Sequence, residues 1–366
     1  MSVDHILPTS ESPPKKALPG WKKLAVGETG GRFVILTVTV GGCIISLPRR
    51  LLRQDVITNT KAMEMQNITA SHCSVPRRVI HVNLSSPDTT TACPSRLCCR
   101  FMGRLGNQMF QFASLVGISR SKGMLPVIRK SHRLHKIFTL NGITSMSYDL
   151  CRHVRVHQDK RSCAFDPQSI AFSNTKDIGL FGYFQSWKYF ANSSNEIRRL
   201  LTIQSTVLHS ANHTLNSFIQ DQHGIVSMGK VLVGMHIRRG DIARSKKNQM
   251  HGYVLASKDY LLQAMTYYRQ KYGKVLFVVC SDSKLWPFLH IPHNDTVFIS
   301  GQMPELDMAI LSLCDHSIIT VGSFGWWSAW LANGNTVYPK HQYHPGSRLE
   351  RQFNLTDYFP PEWIGM

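Results

Sequence analysis

The sequence predicts an α/β protein built on parallel sheet, preceded by a membrane anchor and a stem. Three observations predict it. Between residues 230 and 339, strand-like apolar runs alternate strictly with helix-like runs, the pattern of βαβ units around a parallel sheet. Near residue 98 a polar stretch gives way to a glycine turn, a helical pattern and a strand. Residues 33–47, FVILTVTVGGCIISL, are uncharged and mostly apolar.

The apolar run comes first along the chain. It is shorter than the about 20 residues of a typical spanning helix, but a thin early-secretory membrane suits a short span. A cleaved signal peptide is the rival reading. Against it, the polar lead of residues 1–32 is long and no clear small-residue cleavage site follows. Lys15, Lys16, Lys22, Lys23 and Arg32 precede the run, against Arg49, Arg50 and Arg53 beyond it, a bias that puts the N-terminus in the cytosol. Residues 1–32 are then a cytosolic tail and 33–47 a single-pass type II signal anchor. Residues 48–97, rich in Thr, Ser, Asn and Pro, read as a flexible stem.

The body begins at about 98. GRLGNQMFQFASLVGISRSKGMLPVI reads as a glycine turn, an amphipathic helix and a strand, with Met109, Phe110, Phe112, Ala113, Val116 and Gly117 at helical spacing. IGLFGYFQSWKYF, residues 178–190, reads as a strand running into a helix. KVLVGMHI is a strand, and SKDYLLQAMTYYRQKYG a helix with Ser257 as N-cap and Gly273 as stop. The strands KVLFVVC and TVFIS follow, then a helix opened by Pro304. HSIITVG is a strand, SFGWWSAWLANG a helix and NTVYP a closing strand. Trp326, Trp327 and Trp330 are spaced to pack the helix into a core.

The chain is 43% apolar, enough for a sizeable core, and carries a formal net charge of +20. Such a balance favours acidic partners. No basic stripe interleaved with stacking aromatics is present, nor any zinc-finger spacing, which argues against nucleic acid. Asn67, Asn83, Asn192, Asn212, Asn294 and Asn354 all head N-glycosylation sequons C-terminal to the apolar run. They place the body in a lumen or outside the cell. Some of Cys73, Cys93, Cys98, Cys99, Cys151 and Cys163 can form disulfides there, whereas Cys280 and Cys314 lie in apolar runs and read as buried thiols.

In open α/β sheets, ligands bind beyond the carboxyl ends of the strands. His236-Ile237-Arg238-Arg239-Gly240-Asp241 follows one strand, and Cys280-Ser281-Asp282 the next. Gly322-Ser323-Phe324-Gly325 follows a third and opens a helix, whose first N–H groups, with Ser323 as cap, suit an anion. Paired arginines suit a diphosphate, because guanidinium forks bind phosphate oxygens bidentately. Arg239-Gly240-Asp241 is also an adhesion tripeptide, but that reading needs an exposed flexible loop and here an apolar strand abuts it. No Asp-x-Asp, a spacing that holds a divalent ion on a diphosphate, occurs in the chain. A bound diphosphate is then neutralised by side-chain cations and helix dipoles.

GRLGNQMFQFASL, VGMHIRRGD, VLFVVCSD and LDMAILSLCDHSIITVGSFGWWSAWLANG together resemble the galactoside α-1,2-fucosyltransferase family, over residues from about 99 to 366. The His-x-Arg-Arg-Gly-Asp motif is similar, more loosely, to that of α-1,6- and protein O-fucosyltransferases. The stretch after Gly322 and the ending PPEWIGM resemble the α-1,2 group more narrowly. The resemblance implies a Golgi membrane enzyme of GT-B architecture, two Rossmann-like domains with a cleft between. The acceptor-side domain would span 98–225 and the GDP-fucose-binding domain 226–366. It would move L-fucose from GDP-fucose to the 2-hydroxyl of a terminal β-galactose on glycoproteins or glycolipids, with inversion. No metal and no other cofactor is expected.

The resemblance also implies roles. Arg238 contacts the diphosphate and stabilises departing GDP, and Arg239 either joins it or braces the loop. His236 and Ser281 lie on the donor side. Asp307 resembles an acidic residue that binds the nucleoside. Ser323 and Phe324 match the turn that meets phosphate and base. Arg104, Gly106 and Asn107 match the glycine turn of the first domain and reach the donor from the acceptor side. Asp241 is either the base for the galactose hydroxyl or the brace of the arginine loop. Ile242 stands where family members often carry an aromatic residue, which bears on acceptor choice. A protein O- or α-1,6-fucosyltransferase and a catalytically silent glycan-binding or adhesion module are the alternatives.

Overall fold

The structure is a computed structural model. It describes residues 93–366 except 225–228, 284, 300 and 301, and earlier in the chain only a short strand pair, Thr39–Val40 against Cys43–Ile44. The expected cytosolic tail, the rest of the expected anchor, nearly all of the stem, and the sequons at Asn67 and Asn83 lie outside the described residues. No helix among the described residues is long and apolar enough to cross a membrane.

Two parallel sheets organise the body. The first contains β1 (Arg96–Cys99), β2 (Leu125–Arg129), β3 (Thr144–Met146), β4 (Arg155–Gln158) and β5 (Ile178–Phe181), in the order β3-β2-β1-β5-β4. The second contains β6 (Val231–Ile237), β7 (Val275–Ser281), β8 (Thr296–Ile299), β9 (His316–Ile319), β10 (Thr336–Tyr338) and β11 (Ile364–Gly365), in the order β8-β7-β6-β9-β10-β11. The central strands are nearly continuous buried runs, as parallel strands covered on both faces must be. The chain order reverses direction between β1 and β5, and between β6 and β9. Those are the switch points at which crevices open beyond the strand ends.

Most elements of the last third follow the sequence pattern. Helix Lys258–Tyr272 starts where Ser257 Oγ accepts the Tyr260 N–H and stops at Gly273. Pro304 opens helix Pro304–Ser312. Three features differ. The segment 178–190 forms its strand but not its helix: Gly182 and Phe184 both adopt positive φ, and only a 3-10 turn, Trp187–Tyr189, follows. Strands β3 and β4 lack an apolar run because they are half-exposed edges of their sheet. The second sheet ends not at β10 but at β11, from the chain's last residues.

Helix Leu105–Lys122 is a fourth departure. Its spacing predicts one apolar face, yet it is buried almost all round from Leu105 to Ser119. The reason is that helix Ser323–Ala332 of the second sheet packs on the side that would otherwise face water. Phe110 lies 4.5 Å from Trp326 and 5.2 Å from Trp327, ring to ring. Both tryptophans are fully buried and Trp330 is nearly so, making all three core. Tyr358, Phe359 and Trp363 complete the same cluster. The core of the first sheet is therefore finished by residues more than 200 positions away.

Cys98 and Cys151 form a disulfide that ties β1 to the turn after β3. Cys280 and Cys314 are buried, as their apolar runs predict, and Cys99 and Cys163 are buried thiols too. Asn192 and Asn294 are exposed, and Asn212 and Asn354 are half-buried.

Candidate functional site

The turns beyond the carboxyl ends of both sheets meet at one junction. The turn after β1 opens helix Leu105–Lys122, and the turn after β9 opens helix Ser323–Ala332. The two helix starts touch: a Cβ on Gly106 would lie 2.6 Å from the Ser323 carbonyl carbon. Only glycine allows that approach, because the opposing atoms are backbone. Asn107 Oδ1 accepts from Ser323 Oγ and, at 2.8 Å, from Gln185 Nε2. Beside them, the Arg104 guanidinium, mostly exposed, lies 3.5 Å from the Asp241 carboxylate.

Arg238 sits at the centre of this junction. Its backbone N–H donates to Thr320 Oγ1 at 2.9 Å, tying the end of β6 to the turn after β9. Its Nε and Nη2 donate to the two oxygens of Asp241 at 3.0 and 2.8 Å. Nη1 lies against Gly322, where a Cβ would come within 2.4 Å of it. Gly322 has φ of 100° and, rather than Ser323, occupies the cap position of the helix; Ser323 is the first helical residue. A guanidinium edge thus lies against a helix start whose first N–H groups lack intrahelical partners, a combination suited to a phosphate oxygen. The Tyr253 ring lies beneath the guanidinium at 5.3 Å.

The charges are fixed by their surroundings. Burial opposes the Arg238 charge, but the Asp241 hydrogen bonds and carboxylate outweigh it and raise the pKa. Burial likewise pushes the Asp241 carboxyl up, yet the hydrogen bonds and charge of Arg238, with Arg104, outweigh it and hold the pKa below the ordinary value. Asp241 is therefore an ionised, doubly engaged partner of Arg238. Its own loop is held by Asp282, whose carboxylate accepts the N–H groups of Arg239, Gly240 and Asp241 at 2.7, 2.8 and 3.2 Å. His236 is buried, and its Nδ1 has no hydrogen-bond partner among the described residues. Burial lowers its pKa to about 4, so the ring is neutral; it lies tilted against Phe324, 4.8 Å away.

The expected residues divide into two sets. His236, Arg238, Asp241, Ser323, Phe324, Arg104, Gly106 and Asn107 meet at the junction. Arg239 does not: its guanidinium stacks on Trp286 at 4.1 Å and reaches the Ala256 carbonyl, the bracing alternative of the two readings. The Ser281 hydroxyl donates to the Ile237 carbonyl at 2.7 Å and accepts the Ser283 N–H, so it serves the turn. Asp307 lies on helix Pro304–Ser312, where burial raises its pKa to about 6 against a hydrogen bond from Cys280. Sequence reasoning did not assign Thr320, Tyr253, Asp282 or Gln185. Of these, only Asp282 carried a signal, its place at a strand end. Among the described residues, no group of three or more His, Cys, Asp or Glu side chains is placed to hold a metal ion.

Comparison with known proteins places this arrangement. Residues 63–366 match the family described as glycosyl transferase family 11. Galactoside 2-alpha-L-fucosyltransferase SEC1 of Bos taurus is 33% identical over 271 residues, covering 72% of each chain. Galactoside alpha-(1,2)-fucosyltransferase 1 of Mus musculus is 32% identical over 277 residues, covering 72% of this chain and 71% of that one. Among solved structures, POFUT1 in complex with GDP-fucose aligns at 12% identity and a TM-score of 0.42, over 67% of this chain and 98% of that chain. The family match spans both sheets and the junction between them, and the chain belongs to glycosyl transferase family 11.

Proposed function

We propose that this chain is an inverting galactoside α-1,2-fucosyltransferase of GT-B architecture. It moves L-fucose from GDP-fucose to the 2-hydroxyl of a terminal β-galactose. Family membership and the relatives' activity support the reaction class. The observation that carries the mechanism is the Arg238 guanidinium, clamped by Asp241 and set against the helix start at Gly322.

In this reading the diphosphate lies between Arg238 and the first N–H groups of helix Ser323–Ala332. The galactose hydroxyl oxygen attacks the anomeric carbon of fucose from the side opposite GDP, and its O–H bond breaks as the proton passes to water. The bond from that carbon to the diphosphate oxygen breaks, and its electron pair leaves with GDP. Arg238 and the helix start stabilise the charge that grows on the leaving oxygen, where a preorganised donor has its greatest effect. Asp241 serves as the brace rather than the base, because Arg238 occupies both its oxygens and keeps it ionised. Neutral His236, its Nδ1 buried against Gly325, contributes polarity without charge beside the donor. Asp307 accepts hydrogen bonds from the nucleoside. No divalent ion is needed, since the positive charge comes from the chain itself. Residues 33–47 anchor the enzyme in the Golgi membrane, with the body in the lumen.

Purified enzyme is mixed with GDP-fucose and a panel of β-galactosides, and the product linkage is read by NMR. The reading expects α-1,2-linked product and a rate unchanged by EDTA. It expects Arg238→Ala to lower kcat by about 10²–10³-fold, as loss of a charge-stabilising donor does. Absence of product with every galactoside while GDP-fucose still binds would sink it.

A further inference from the structure

A second cavity lies beyond the carboxyl ends of β1, β2 and β3, on the first sheet. Its volume is about 500 Å³, within the range of small-ligand sites. Arg100, Arg129 and Arg152 line it, together with Phe101, His132 and Tyr148. Asp149 is its one acidic lining residue.

Arg129 and Arg152 are not used up by the fold. Arg129 is exposed and makes no ion pair among the described residues. Arg152 is 75% exposed and only loosely paired with Asp149, at 3.4 Å. Arg100 donates Nε and Nη2 to the Cys151 carbonyl at 3.1 and 2.9 Å, which orients its fork. The Cys98–Cys151 disulfide holds the Leu150–Arg152 turn against β1, so this wall is fixed. The local field is positive: burial first, then the charges of His135, Arg133 and Arg129, push the His132 pKa down to about 4. Phe101, its ring tilted against His132 at 4.2 Å, and the exposed Tyr148 add flat apolar surface of the kind on which sugar rings lie.

The cavity is also close to the reaction. Phe101 precedes Arg104 by three residues, so their Cα atoms are at most about 11 Å apart. Arg104 in turn reaches Asp241. We propose that this cavity seats the acceptor glycan beyond its galactose and prefers one bearing a carboxylate or sulfate ester on the neighbouring sugar. The assignment rests on the β-galactoside reading above. It adds that the acceptor is anionic, because guanidinium forks bind such oxygens bidentately.

The test uses the full chain with GDP present and three probes. These are N-acetyllactosamine, the same disaccharide with a sulfate ester on its N-acetylglucosamine ring, and one with a carboxylate on that ring. Calorimetry should find one or both charged probes binding about tenfold more tightly at low salt, with the advantage shrinking as salt screens it. A gain for both means that charge is read, and a gain for one identifies the anion. Arg129→Ala and Arg152→Ala should each weaken the charged probe more than the neutral one. Equal affinities, or an advantage that survives both substitutions, would overturn the proposal. Transfer assays separate the two readings. Fucose transfer without any charge preference removes the anionic pocket alone. Charge-selective binding without transfer to any galactoside removes the fucosyltransferase reading and leaves the pocket standing.

Discussion

Arg238 cannot be understood from its own chemistry alone. A guanidinium at a strand end would wander in solvent. Here Asp241 takes two of its three nitrogens, and Asp282 holds the backbone from which Asp241 projects. The carboxylates of this loop thus serve the arginine. Asp307 is different, since no cation among the described residues offsets its burial. Its carboxyl is raised from 3.8 to about 6, so the unfolded chain ionises first. The ionised group therefore costs stability above about pH 6, and that cost disappears as pH falls below 3.8. Asp307→Asn should raise the Tm at pH 7.5 by a few degrees, worth about 1–2 kcal/mol, and the gain should shrink toward pH 4. In the same variant the KM for GDP-fucose should rise at pH 7.5. Thermal melts across pH and donor titrations check both; a Tm gain independent of pH would remove burial of charge as the cause. At this scale the sequence was partly readable. Arg238 and Asp241 stood out because charged residues beyond an apolar strand are conspicuous. Arg239 was equally conspicuous, yet its guanidinium stacks on Trp286, a partner 47 positions away that no local pattern announces.

The elements that build the site are two helix starts, and their meeting is the reason for two glycines. Gly322 provides the left-handed turn and leaves room for the Arg238 side chain. Gly106 lets the two helix starts touch. In Gly106→Ala the new Cβ would lie 2.6–2.7 Å from backbone atoms of Ser323 and Phe324. Backbone cannot rotate away as a side chain does, so the helices must separate. Overpacking of this kind typically costs about 1–3 kcal/mol, and the displaced helix start no longer faces Arg238. The variant should fold with a lower Tm and lose at least tenfold in kcat, measured with saturating donor and acceptor. Wild-type kcat would show that the two starts need not touch. The helices were legible because burial on a face writes a period into the sequence, and the central strands because burial on both faces makes a continuous apolar run. Edge strands β3 and β4 were not, since half-exposed edges need no apolar pattern. The burial of helix Leu105–Lys122 on both sides was hidden for another reason: its second partner comes from the other sheet.

For the whole molecule, the second sheet was implied by the alternation of elements and the pairing of two such units by the family resemblance, but their shared core was not. Trp326 and Trp327 belong to a helix of the second sheet and pack with Phe110 of the first. Only the three-dimensional arrangement brings those residues together. The membrane topology is a claim of the same scale, resting on the apolar run at 33–47, the flanking charges and the sequons. Exposed Asn192 and Asn294 lie on the body, so in the type II reading both face the oligosaccharide machinery of the secretory lumen. The full chain made in animal cells should drop in mass when treated with an N-glycosidase. Asn192→Gln and Asn294→Gln should each remove one step of that drop. Protease added outside sealed microsomes should trim only a segment the size of residues 1–32, leaving the body intact until detergent is added. A chain with no glycosidase shift, or a body cut before detergent, would place the site on the cytosolic side and overturn the anchored, lumenal arrangement.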